Sequence, residues 1–162
     1  MGMALTGLVL YGFLVGHLLG NLLLLKGDGG QAFNAYAEFL INHPLIIPAE
    51  LFLVVVFLLH VYLAISVTRE NRRARPVGYQ TTQSVGGRSF ASNTMIYSGV
   101  IVLVFLVLHL KTFKYGDKAG GTLNDLVSST FQQTEYVVWY AIAMLVLGFH
   151  LWHAFQSALQ TL

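Results

Sequence analysis

The sequence predicts an all-α membrane protein, a transmembrane helix bundle with four spans. Hydrophobic residues make up 56% of the 162 and charged ones only 10%, where soluble domains carry about 25% charge. The nine basic and seven acidic residues also cluster, leaving the charge-free stretches 1–25, 51–68, 89–110 and 136–162. Each of these suits a membrane helix of about 17–25 residues. Finally, glycines, prolines and charges collect in the connections between the stretches.

The elements follow in order. The first helix covers about 4–25, and no basic segment precedes it as a cleavable signal would require. In the next connection Gly27, Gly29 and Gly30 break the helix, and "FNAYAEFL" has the spacing of a short amphipathic segment at the membrane interface. Pro44 and Pro48 open the second helix, about 46–69, because proline is tolerated in a first turn. The polar segment "RENRRARPVGYQTTQSVGGRSFASN" follows, with Pro76 stopping any helix. The third helix covers about 93–114, a loop holds "YGDKAGGTLND", and the fourth helix covers about 134–160. Residues 1–162 read as one domain without an evident internal repeat.

Orientation follows from the loops. Residues 69–92 hold five arginines, against one lysine in 26–50 and three in 111–135. The arginine loop is therefore expected on the cytoplasmic side, with both chain ends. The absence of cysteine excludes disulfides and thiolate-held clusters. A net charge of +2 without a basic, aromatic-interleaved stripe gives no reason to expect nucleic acid. No nucleophile–base set, phosphate-cradling loop or dinucleotide fingerprint occurs.

Five of the six histidines lie inside the spans: His17, His60, His109, His150 and His153. Ionisable groups there are uncommon and read as functional. One histidine alone could simply hydrogen-bond between helices. Histidines in all four spans, at two depths, ask for more. At about 1.5 Å per residue, His17 lies ~14 Å from Lys26, and His109 is also in the outer half. By the same measure, His60 lies ~14 Å from Arg69, and His150 ~22 Å inward of Glu135. His17 and His109 thus form an outer pair, and His60 with His150 or His153 an inner pair. Neutral imidazole is a standard axial ligand of haem iron, and two bis-histidine b haems stacked across the membrane satisfy this pattern. A proton relay is the competing reading, but it normally wants carboxylates in the spans, and Glu50, at a helix end, is the one available. Gly12, Gly16 and Gly20 repeat every four residues. Helix packing is expected at Gly12, and clearance for a flat macrocycle at Gly16 and Gly20.

Five separated stretches, "ALTGLVLYGFLVGHLLGNLLL", "FNAYAEFL", "NRRARPVGYQ", "ASNTMIYSGVIVLVFLVLHL" and "GFHLWHAFQSALQTL", resemble one family over nearly the whole chain. It is the dihaem cytochrome b membrane anchor of succinate dehydrogenase and fumarate reductase (succinate:quinone oxidoreductase). The resemblance implies two haem b cofactors, with His17 and His109 on the outer iron and His60 and His150 on the inner; His153 is the alternative to His150. It implies an iron–sulfur subunit and a flavoprotein subunit as partners on the cytoplasmic side of a bacterial or archaeal membrane. It also implies surrounding lipid, and a quinone, usually menaquinone, as substrate; a higher oligomer of the complex is compatible with it. The anchor itself would not perform the dicarboxylate chemistry. Arg75, Tyr79 and Arg88 are candidates for propionate or inner quinone contacts. Glu38, His43 and Glu50 are candidates for an outer quinone site, since quinone reduction takes up protons.

The chain departs from the family in several places. Asn93 stands where many relatives have arginine, Gly148 where some have glutamate, and Ala154 where a glycine usually follows the ligand histidine. The family usually has a fifth span. A cytochrome b anchor of another respiratory enzyme, such as a hydrogenase or formate dehydrogenase, is the alternative reading. A haem-free transporter or assembly factor is the third.

Overall fold

The computed structural model describes the backbone of residues 1–74 and 90–162 and the side chains of 1–74 and 94–162. It is an all-α transmembrane bundle. Helix α1 (Gly2–Asn21) continues as a 3₁₀ turn, Leu22–Lys26. Then come α2 (Gln31–Asn42), α3 (Ile46–Ala74) and α4 (Phe90–His109), which widens into a π turn, Leu110–Lys114. Helices α5 (Leu123–Phe131) and α6 (Thr134–Thr161) complete the chain. Four segments are long and apolar enough to cross a membrane: Gly2–Lys26, Ile46–Ala74, Thr94–Lys114 and Thr134–Thr161.

These spans coincide with the expected ones, and α3 runs five residues further. Its last turns, "RENRRA", are charged and exposed. Arginine and glutamate are good helix formers, so the helix continues after the apolar stretch has ended. Helix α5 lies where the sequence reading left a loop. Its start is a capping box: Thr122 Oγ1 accepts from the Asp125 backbone N–H, and Asp125 Oδ2 accepts from that of Thr122.

The Thr122 backbone N–H and hydroxyl, both donating to Oδ2, hold the Asp125 carboxyl below its ordinary value of 3.8. A carboxylate depressed in the folded state stabilises above its unfolded value, and that contribution is lost as pH falls through the folded one. Amide protection across α5, corrected for intrinsic exchange, is therefore expected to decline below about pH 4. Asp125→Asn should abolish the decline; an unchanged profile would contradict this role of the cap.

In the bundle α1 packs on α3 and on α6, and α4 packs on α6, while the α3–α4 seam is thin. Helices α1 and α4 are thus diagonal to each other, as are α3 and α6. No large side chain is fully buried among the described residues. At one end α2 and α5 clasp each other. The Asn124 backbone N–H donates to Asn34 Oδ1 at 3.0 Å, and the Asn124 side chain lies against Gly30, whose φ of 84° suits glycine. Asp28 starts α2 by accepting from the backbone N–H of Gly30 at 3.0 Å and of Ala32 at 3.1 Å.

The α1 glycines differ from expectation. A Cβ on Gly20 would stand 2.5 Å from Tyr36 Cε1, so Gly20 lets α2 lie against α1 rather than clearing space for a cofactor. Gly12 makes no close helix contact, and around both it and Gly16 no described atom lies within 4 Å of a built Cβ. Gly20→Val is expected to displace Tyr36 and to cost about 1–3 kcal/mol by overpacking, read as a lower thermal midpoint in detergent. Gly12→Val should cost far less.

Candidate functional site

The diagonal helices bring the histidines together in two pairs. His17 on α1 and His109 on α4 have ring centroids 5.7 Å apart, edge to face. On the other diagonal, His60 on α3 faces α1 at Gly7 and His150 on α6 faces α4 at Gly99.

The pairs lie at two levels. The His60 ring abuts α1 at Gly7, with Cε1 3.4 Å from a built Cβ, and the His150 ring abuts α4 at Gly99, at 3.5 Å. Gly7 precedes His17 by ten residues, and Gly99 precedes His109 by ten. Both helices thus separate the levels by about 15 Å at 1.5 Å per residue.

Hydroxyl groups hold three of the four rings by Nδ1. Thr6 Oγ1 lies 3.0 Å from His60 Nδ1, and Ser98 Oγ lies 3.0 Å from His150 Nδ1. The Tyr140 hydroxyl lies 3.2 Å from His109 Nδ1. Phenylalanines pack against the outer pair at the same offset and distance. Phe13 stacks on His17 and Phe105 lies against His109, each at 5.6 Å between centroids. Phe113 and Phe131 extend the aromatic cluster around His109 and Tyr140. The π turn begins directly after His109, and such turns are frequent at functional sites.

These contacts expose a repeat that the sequence reading missed. Residues 6–17, "TGLVLYGFLVGH", align without gaps on residues 98–109, "SGVIVLVFLVLH". Glycine, the Phe-Leu-Val triplet and the histidine are identical, and Thr6 answers Ser98. Each copy is followed by a short helix and then a second span with its own histidine. The chain is two similar halves, α1–α3 and α4–α6, and each pair takes one histidine from each half.

Among the described residues no group of three or more His, Cys, Asp or Glu could hold a metal ion by itself. Two imidazoles alone cannot fill the coordination sphere of a bare ion, but they complete that of a metal whose other positions belong to a macrocycle. This donor set, with open space beside Gly12 and Gly16, fits haem b.

The outer candidates are dispersed. Glu38 and His43 line a shallow groove of about 400 Å³ with Phe39 and Asn42. His43 Nδ1 accepts from the Leu45 backbone N–H at 3.2 Å. Glu50 is not in that groove; it pairs with Lys114 across the α3–α4 seam, at the end of the bundle that carries α2 and α5. A second groove, about 440 Å³, includes Lys111, Trp139 and Tyr140. Arg75, Tyr79 and Arg88 lie outside the residues whose side chains are described. Comparison with protein-family models, with curated proteins and with solved structures finds no match to the chain.

Proposed function

We propose that the chain is a dihaem cytochrome b, the membrane anchor of a succinate:quinone oxidoreductase. In that role it would carry electrons between an iron–sulfur subunit and a quinone, with menaquinone the expected one. The observation that carries the reading is the two sets of histidines, on diagonal helices and at two levels, with no group of three or more possible metal donors among the described residues. The five-motif resemblance supports the particular complex.

When bound, haem b supplies one-electron redox chemistry. His17 and His109 would hold the outer group, and His60 and His150 the inner. Each neutral imidazole would offer one nitrogen to the iron, and for His60, His109 and His150 the other nitrogen meets a protein hydroxyl. Phe13 and Phe105 pack against the two rings of the outer pair, and Tyr140 orients His109. Two histidines per iron leave no open position, so oxygen binding is not expected. Glu38 and His43 stand where a quinone ring could exchange protons with solvent. In this reading the N-terminus and the arginine-rich segment face the cytoplasm, where the iron–sulfur and flavoprotein subunits dock.

A reduced-minus-oxidised spectrum with a pyridine haemochrome count tests it. Two low-spin b haems per chain are expected. A well-folded complex without haem would overturn the proposal and return the histidines to packing or proton relay. Subunits that co-purify separate the succinate-linked complex from a hydrogenase or formate dehydrogenase.

A further inference from the structure

We propose that Thr6 and Ser98 are the positioning residues of the inner pair. Each fixes its imidazole as the Nδ1–H tautomer, so that the Nε2 lone pair is free for metal. The inference rests on the two-haem reading above and names the groups that prepare its inner ligands.

The argument is a count of protons. A serine or threonine hydroxyl has one proton to give. Thr6 Oγ1 lies 3.0 Å from the Gly2 carbonyl oxygen and 3.1 Å from that of Met3, both acceptors only. Ser98 Oγ lies 3.0 Å from the Met95 carbonyl oxygen. With the hydroxyl proton donated to the helix backbone, the 3.0 Å contact to Nδ1 is a hydrogen bond only if the imidazole donates. A neutral imidazole carries one proton, so Nε2 is left as the lone pair. Thr6 is itself buried, at 8% exposure, which makes loss of its partner costly.

A glycine adjoins each hydroxyl and faces Cε1 of the ring: a Cβ would stand 3.4 Å from it at Gly7 and 3.5 Å at Gly99. The arrangement occurs twice, on α1 and on α4, each eleven residues before an outer histidine. Two occurrences at one register argue against a chance contact. The outer pair lacks this arrangement: His109 meets a phenol, which has no neighbouring carbonyl among its described hydrogen bonds to fix the direction.

A hydrogen bond accepted from the distant nitrogen raises ligand basicity and favours the oxidised metal. Removing the acceptor should therefore raise the midpoint potential of the inner centre and leave the outer one in place. The test uses the full chain, in its complex, as Thr6→Val, Ser98→Ala and the conservative Thr6→Ser. Readouts are haem count, redox titration and low-temperature EPR of each haem, assigned with the His17→Ala chain. Expected are two haems throughout, with an upward shift and altered EPR g-values of the inner haem in Thr6→Val and Ser98→Ala. Thr6→Ser should match the parent. Should Thr6→Val not assemble, Ser98→Ala with Thr6→Ser carries the same comparison. Two haems with unmoved inner potentials, or shifts confined to the outer haem, would overturn the inference alone. A parent chain without haem would overturn it together with the function it rests on.

Discussion

Alanine at His17 is expected to remove one of two haems, halving the pyridine haemochrome count, and alanine at His109 to do the same. The double variant should lose no more than either single one. The reason is the direct ring-to-ring approach at 5.7 Å: the two side chains serve one centre, and residues acting as a unit are non-additive. Combining His17→Ala with His60→Ala should instead remove both haems, because those rings lie at levels about 15 Å apart. Haem loss that simply added between His17 and His109 would place them at different centres.

The second large effect separates two neighbours on α6. His150→Ala is expected to abolish the inner haem, and His153→Ala to retain it. His150 abuts Gly99 and is held by Ser98. His153 stands three residues on, about 4.5 Å further along the helix and some 60° around it. Among the described residues no hydrogen bond to its ring is found. Spectra of the two variants decide the matter, and loss of haem in His153→Ala with retention in His150→Ala would reverse the assignment.

The four spans were legible because the lipid requirement is written in uninterrupted letters: a charge-free run of spanning length leaves little alternative. The histidine layers were legible for a related reason, since depth along a helix is a matter of counting. Side-chain partnerships were not. Gly20 was read toward a cofactor because the sequence cannot say that Tyr36, on α2, folds back over it. Helix α5 escaped because it is short and its apolar positions are few, although the Thr122 and Asp125 capping box was a readable sign of its start. The repeat escaped because Leu, Val and Ile exchange freely in apolar spans, which leaves only the glycine, the Phe-Leu-Val triplet and the histidine identical. Thr6 and Ser98 looked like ordinary small polar residues in a helix. Their importance lies in what stands across the helix interface, and that needed coordinates.

Each ring pair draws one member from α1–α3 and one from α4–α6. That is the relation between the two copies in an isologous dimer, where a site on the twofold axis is built in equal shares. Neither share contains a bis-imidazole set of its own at either level. The functional unit is therefore indivisible although its construction is duplicated. The halves also differ near the sites: ten residues before the inner histidine, one half has Tyr140 against His109, and the other has Glu50, paired with Lys114. The chain joins two similar halves on a single polypeptide, with the α1–α6 seam closely packed and its α3–α4 counterpart thin.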